Sequence, residues 1–355
     1  MLDRTFIIAE AGVNHNGDPD LARTLVDAAA DCGADAVKFQ TFKADKLIVE
    51  STEKAAYQKV TTDADESQFA MIRRLELSTA MHDVLNARCM ERGIEFMSTP
   101  FDEESADFLV KQMGVKRIKV PSGEITNGPF LLHVARLGLP IILSTGMSTL
   151  TEVEEALVVM SHGLMSADGA PNRRAYESEA GRKSLKEKVA LLHCTTEYPS
   201  RYEDTNLRAM DTMRDAFGLT VGLSDHTGGI AIPIAAVARG ARIVEKHFTT
   251  DRSLPGPDHA ASVSIDELRA LIEGVRAVEL AMGKNEKAPA QSELKNIPVI
   301  RRGLVAAKAI RRGEPFTAEN VCAKRPAAGL SPMSFWTIMG RPADRDYGAD
   351  DPIAP

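Results

Sequence analysis

From residue 6 to about residue 283 the chain alternates short apolar runs with longer stretches of helical period. Eight runs read as strands: FIIAEAG (6–12), AVKFQT (36–41), EFMSTP (95–100), RIKVPSG (117–123), IILSTG (141–146), VALLHC (189–194), TVGLSD (220–225) and ARIVEKHF (241–248). Their near-continuous apolar character is what a parallel strand buried on both faces requires. The intervening stretches carry helix punctuation. Asp18-Pro19 opens a helix that Gly33 closes, Ser78 opens one ending at Gly93, and Ser264 to Glu267 forms a capping box before a helix running to Gly283. Eight strand–helix units predict an α/β fold, a (β/α)8 TIM barrel. The alternative is a doubly wound open sheet, but no GxGxxG follows the first strand.

Two stretches exceed a minimal barrel. Residues 42–77 leave the C-terminal end of the second strand, which places them at the active-site rim as an expected lid. Polar residues 163–188 follow a helix, so they are expected at the opposite face or in disordered chain. The barrel is assigned to residues 1–284 and a linker to 285–297. In residues 298–355 the pattern changes to short alternating runs with Gly and Pro turns, predicting a small β-rich domain. A unit of that size rarely stands without partners, so docking on the barrel or on another subunit is expected.

Bulk properties exclude several classes. The 355 residues carry a net charge of -7, with no basic footprint for nucleic acid or an anionic membrane surface. No apolar stretch approaches the ~18 residues of a membrane span, and the N-terminus does not read as a signal peptide. Cys32, Cys89, Cys194 and Cys322 are scattered without CxxC spacing, the pattern of reduced thiols in a cytoplasmic protein.

Polar residues gather where barrel enzymes place their chemistry, at strand C-terminal ends. These ends supply Glu10, Lys38, Gln40, Thr99, Lys119, Ser122, Glu124 and Ser144, then Thr195, Thr196 and Tyr198, then Ser224, His226, Glu245 and His247. His226 and His247 close consecutive runs, and two neutral imidazoles meeting at one point suit a divalent Mn, Fe, Co or Zn ion. The plainer alternative is a pair of unrelated histidines. Lys38 and Lys119 sit in apolar runs, where an unpaired ammonium is expensive. A bound phosphate flanked by Thr99, Ser122 and Ser144 would satisfy them. Pairing with Glu10 and Glu124 would also do so, and a Schiff-base lysine is a third option. His193 is expected to point into the barrel wall, and His15 to sit on the rim. The residues alone thus describe a divalent metal beside an anion pocket, with Glu10 or Glu124 as acid or base.

AEAGVNHNGD (9–18), VKFQT (37–41), STPFD (98–102), KVPSGE (119–124), ILSTGM (142–147), LLHCTTEYP (191–199), GLSDHT (222–227), EKHFT (245–249) and PGPDH (255–259) together resemble the bacterial sialic acid synthases, which make nonulosonic acids from phosphoenolpyruvate. KRPAAG (324–329) resembles that family's small antifreeze-like (SAF) domain. The resemblance implies that Lys38, Thr99, Lys119, Ser122 and Ser144 hold phosphoenolpyruvate and that His226 and His247 bind the metal, usually Mn2+. It places Gln40, Glu124, Tyr198 and Asp258 near an acylamino sugar, with Glu10 close to the metal and the reacting carbons, and counts Phe101 and Ser224 among the substrate-binding residues. It also implies a domain-swapped homodimer in which Arg325 of one subunit covers the other's barrel mouth. LLHCTTEYP and residues 54–77 resemble the legionaminic acid branch, whose sugar is 2,4-diacetamido-2,4,6-trideoxymannose. Sialate synthases often carry Asn where this chain has Thr196. Competing readings are an N-acetylneuraminate or pseudaminate synthase, and, in another class, an inactive sugar-binding barrel.

Overall fold

The computed structural model describes residues 4–54, 62 and 66–354. The chain forms two compact units, Met1–Gly283 and Lys284–Pro355. In the first, eight parallel strands run β1 (Phe6–Gly12), β2 (Ala36–Thr41), β3 (Glu95–Pro100), β4 (Ile118–Val120), β5 (Ile141–Ser144), β6 (Val189–Cys194), β7 (Thr220–Asp225) and β8 (Ile243–His247). They pair in the order β3-β2-β1-β8-β7-β6-β5-β4, and β3 lies alongside β4 to complete the ring of a (β/α)8 barrel. β4 is shorter than its apolar run because Pro121 has no N–H to offer a ladder and the chain turns at once into a 3-10 segment, Ser122–Glu124.

Strand period decides what faces inward. Ile8, Ala36, Met97, Ile142, Leu192 and Ile243 form an apolar layer inside the barrel. Two residues further along each strand, on the same face, stand Glu10, Lys38, Thr99, Ser144, Cys194 and Glu245. The apolar layer therefore forms the base on which the polar layer rests. The alternate positions of the same strands, among them Ile7, Val37, Phe96, Leu143, Leu191 and Val244, pack outward against the helices in the main core.

Helix ends follow the sequence. The Asp18 carboxylate accepts from the N–H groups of Asp20 and Leu21 to open Pro19–Cys32, and Gly33 closes it at φ +83°, a left-handed value that favours glycine. Ser78 and Gly93 bound Thr79–Arg92, and Ser264 and Glu267 make the reciprocal cap of Ile265–Met282. The 163–188 stretch is ordered rather than irregular. It contains helices Arg173–Glu177 and Glu179–Lys188, the latter running directly into the N-terminal end of β6. The excursion after β2 contains helices Ala44–Leu47 and Gln68–Arg74, tied together by Glu76, which accepts from Ala44 N–H at 2.8 Å and Lys43 Nζ at 3.2 Å. Part of the segment expected to act as a lid, residues 55–61 and 63–65, lies outside the described residues.

The second unit pairs β9 (Gly303–Ala306) antiparallel with β10 (Val321–Lys324). Leu304, Ala306, Ile310, Phe316, Val321, Tyr347 and Ile353 are among the buried side chains of its own small core. Arg325 follows β10 and is exposed. No helix among the described residues is long and apolar enough to cross a membrane.

Candidate active site

At the C-terminal end of the barrel the polar layer opens into a cavity of about 290 Å³. Its floor is an ion-pair network. Lys38 Nζ lies 2.6 Å from Glu10 Oε2 and 3.6 Å from Glu245 Oε2, and donates to Thr99 Oγ1 at 2.8 Å. Lys119 Nζ lies 3.5 Å from Glu245 Oε1, which also accepts from Ser224 Oγ at 2.8 Å. The lysines do pair internally, but Lys119 turns to Glu245 rather than to Glu124. Register explains the choice, since Glu245 shares the inward face of β8 with His247 and projects across the floor. Glu245 stood in the sequence as one polar strand end among many; its period-two spacing from His247 was the available signal.

Burial acts differently on each charge. Burial pushes the Glu10 carboxyl up to about 7, against the pull of Lys38. Burial also works to raise Glu245, but Lys119, Lys38 and the Ser224 hydroxyl outweigh it and hold that carboxyl at about 2. For Lys38, burial disfavours the ammonium, yet Glu10 and Glu245 overcome it and raise the pKa. Lys119 has less compensation, so burial wins and its pKa falls. The floor thus sets two lysines against one firmly ionised carboxylate, Glu245, and a second, Glu10, that exchanges its proton near neutrality. An anion seated between the two lysines would gain charge-assisted hydrogen bonds from both. Ser144 Oγ is buried with no hydrogen-bond partner among the described residues, and Ser122 Oγ accepts from Gly146 N–H at 2.9 Å.

The histidines stand opposite the lysines, with ring centroids 5.4 Å apart. His226 Nδ1–H donates to the Thr195 carbonyl at 2.7 Å, which fixes the tautomer and leaves the Nε2 lone pair open. Cys194 Sγ, a lining residue the sequence did not single out, lies 3.8 Å from the same Nδ1. His247 is held well below its ordinary pKa by burial, then by His226 and Lys38, so its imidazole is neutral. Its Nδ1 is buried without a hydrogen-bond partner among the described residues, 3.8 Å from Asp258 Oδ2. Burial raises the Asp258 carboxyl to about 6. Burial lowers the His226 pKa, but Cys194, the Thr195 carbonyl and Glu245 outweigh it and raise it, so His226 gives up its proton less readily than His247; once neutral, the two imidazoles fit a divalent transition ion. No cluster of three or more His, Cys, Asp or Glu donors is placed to hold one among the described residues, so an ion held by these two imidazoles would need other donors besides. Tyr198 packs against both rings, 4.2 Å from His226 and 5.7 Å from His247 between centroids.

Gln40, Phe101, Ser224 and Asp258 also line the cavity. Glu124 does not; it is half-buried in the turn after β4, where its Oε2 accepts from Asn127 Nδ2 at 2.7 Å. His15 is fully buried instead of standing on the rim, with Nδ1 accepting from Gly17 N–H at 2.9 Å. His193 faces away from the barrel interior and donates from Nε2 to the Thr205 carbonyl at 2.5 Å. Thr196 lines the cavity, its Oγ1 filling the space where a side chain on Gly146 would project, 2.3 Å from that Cβ position.

A barrel whose mouth joins two buried lysines to an imidazole pair has its polar chemistry at the end where enzymes of this fold carry their active sites. The chain belongs to the NeuB family, which it matches over residues 25–287, and residues 301–355 match the SAF domain. It is 47% identical over 352 residues to an N,N'-diacetyllegionaminic acid synthase of Campylobacter jejuni, covering 99% of both chains. The identity is again 47% to the protein of that name from Legionella pneumophila, over 94% of this chain and 89% of the relative. A pseudaminic acid synthase of Campylobacter jejuni is 32% identical over 99% of this chain and 95% of its own. Among solved structures, an N-acetylneuraminic acid synthetase from Leptospira borgpetersenii serovar Hardjo-bovis superposes with a TM-score of 0.69 at 32% identity, covering 83% of this chain and 90% of that one.

Proposed function

We propose that the protein condenses phosphoenolpyruvate with open-chain 2,4-diacetamido-2,4,6-trideoxymannose, giving N,N'-diacetyllegionaminate and inorganic phosphate. The observation that carries the condensation is the buried lysine pair, Lys38 and Lys119, lining one cavity with His226 and His247. The choice of sugar rests on the higher identity to the legionaminic than to the pseudaminic relative.

In this reading Lys38 and Lys119 hold the phosphate, with Thr99, Ser122 and Ser144 donating hydroxyls to it. His226 and His247 would hold a divalent ion, Mn2+ by preference, which would supply Lewis acidity toward the sugar's aldehyde. C3 of phosphoenolpyruvate forms the new bond to the sugar's C1. Water then adds to C2, and phosphate leaves with cleavage of its bond to C2. Glu10, whose pKa lies near neutrality, shuttles the proton between that water and the departing groups. Glu124, off the cavity, is left with the turn it caps. Gln40, Tyr198 and Asp258 orient the sugar, and Arg325 of a second subunit closes the mouth in a domain-swapped homodimer. No Schiff base is needed, since both lysines are engaged with charge.

The test is incubation with phosphoenolpyruvate and Mn2+ against each candidate sugar, with product mass and phosphate release measured. The trideoxy sugar should be turned over best; a clear preference for N-acetylmannosamine sinks the assignment. His226→Ala and His247→Ala should each abolish both turnover and Mn2+ binding by calorimetry, while unfolding stays cooperative. Unchanged Mn2+ affinity in either variant would refute the ligand assignment.

A further inference from the structure

The cavity has two chemistries, and the condensation uses only one. Above the charged floor stands an apolar wall. Phe42, Met71 and Leu75 are 3%, 1% and 2% exposed and form a buried cluster separate from the main core, with Ile72 and Phe101 packed against it. All five side chains line the cavity. Phe42 and Phe101 meet edge to face at 5.8 Å between centroids. The wall is held in place by polar contacts behind it. Glu76 binds the Ala44 N–H and Lys43, and Arg74 Nε donates to Glu66 Oε1 at 3.2 Å.

Strand geometry fixes the wall's height. Along β2 and just beyond it the cavity-lining side chains are Lys38, Gln40 and Phe42; along β3 they are Thr99 and then Phe101. Each two-residue step rises about 6.6 Å along a strand. Phe101 therefore sits one step above Thr99, and Phe42 two steps above Lys38 with Gln40 between them, so both rings stand above the lysine and hydroxyl groups. An open-chain sugar must keep its aldehyde beside the anion floor and the histidines, so its far carbons reach these rings.

We propose that the wall formed by Phe42, Met71, Ile72, Leu75 and Phe101 is the subsite for C6 of the sugar and selects a methyl there over a hydroxymethyl. This rests on the condensation reading above. None of these side chains offers a hydrogen bond of useful strength. A C6 hydroxyl pressed against them loses water without replacement, whereas a methyl gains burial. Apolar pockets reject an added hydroxyl only modestly, so the discrimination expected is about 10- to 100-fold in kcat/KM.

The experiment uses the full-length protein with Mn2+ and saturating phosphoenolpyruvate. Two sugar pairs differ only at C6: 2,4-diacetamido-2,4,6-trideoxymannose with its 6-hydroxy counterpart, and 2-acetamido-2,6-dideoxymannose with N-acetylmannosamine. The wild-type protein should favour the 6-deoxy member of whichever pair it turns over by about tenfold or more. Ile72→Gln should bring that ratio to within about threefold of unity while the KM for phosphoenolpyruvate changes less than about twofold, and Ile72→Leu should preserve the ratio. Phe101→Tyr, which adds a single hydroxyl, is the second variant should Ile72→Gln fold poorly. A wild-type ratio near one, or a ratio unmoved by both polar substitutions, overturns the subsite and leaves the condensation standing. A 6-deoxy preference confined to the N-acetylmannosamine pair keeps the subsite and overturns the diacetamido assignment. No turnover of any of the four sugars overturns both.

Discussion

Each buried charge here is set by what lies within a few ångströms of it, and the sequence shows types without neighbours. Glu10 and Glu245 lie on neighbouring strands, one two-residue step apart in register, and their carboxyls are driven apart because burial dominates Glu10 while Glu245 takes both lysines. Glu124 read as their equal in sequence, but its 3-10 turn carries it off the floor. His15 shows the same logic applied to stability. Burial holds its imidazole at about 4, against an ordinary value of 6.5. The unfolded chain therefore takes up the proton first as pH falls. His15 contributes its full stability above pH 6.5, loses it as pH falls from 6.5 toward 4, and changes nothing further below that. At pH 5 the loss is about 2 kcal/mol. His15→Asn keeps an acceptor for Gly17 N–H without the titration, so its melting temperature should drop several degrees less than the wild type's between pH 7.5 and pH 5. Equal drops in thermal melts would show that His15 does not titrate on unfolding.

At the scale of the element, the strands were legible because parallel strands in a barrel are apolar on both faces; five of the eight runs match the observed bounds residue for residue. The polar ends were legible as a set, since a strand's C-terminal end has one place to go in this fold. Which face each polar residue takes was less so. Lys246 and Asp225 lie between site residues in sequence but face outward, where Lys246 Nζ meets Asp225 Oδ2 at 2.6 Å and the Thr227 carbonyl at 2.5 Å, with both side chains at most 1% exposed. This pair joins β7 to β8 directly behind the two histidines. A pairing between strands depends on register, which single-strand patterns do not carry. Removing one partner leaves a buried uncompensated charge at about 3–5 kcal/mol, whereas removing both is far milder. Lys246→Met should therefore lower the melting temperature by about 6–15 °C, and Lys246→Met/Asp225→Asn should recover much of it. If the double variant melts no higher than the single one, the strands are held by something other than this pair.

Across the whole molecule, the sequence divided a barrel from a small β-rich unit because strand–helix alternation gives way to short runs with Gly and Pro turns. The second unit's core is small, its helices Gln291–Leu294 and Ile297–Ile300 bury no residue, and Trp336 is 75% exposed. A unit of this size gains stability and purpose from a partner surface. The proposed swap makes the partner a second copy of the chain, with Arg325 acting on the other subunit's sugar. Arg325→Ala should then raise the KM for the sugar more than that for phosphoenolpyruvate; if neither constant moves, Arg325 has no contact with the substrate. Complementation separates action in trans from action in cis. His226→Ala has a dead barrel and an intact arginine, and Arg325→Ala the reverse. When the two are unfolded and refolded together in equal amounts, half of the dimers are mixed, and each mixed dimer holds one complete site if the arginine crosses over. Activity at low sugar concentration should recover to about a quarter of the wild-type value, since symmetric dimers exchange the same element reciprocally. If the arginine serves its own barrel, every site in the mixture lacks either His226 or Arg325, and no activity returns above that of the Arg325→Ala protein alone.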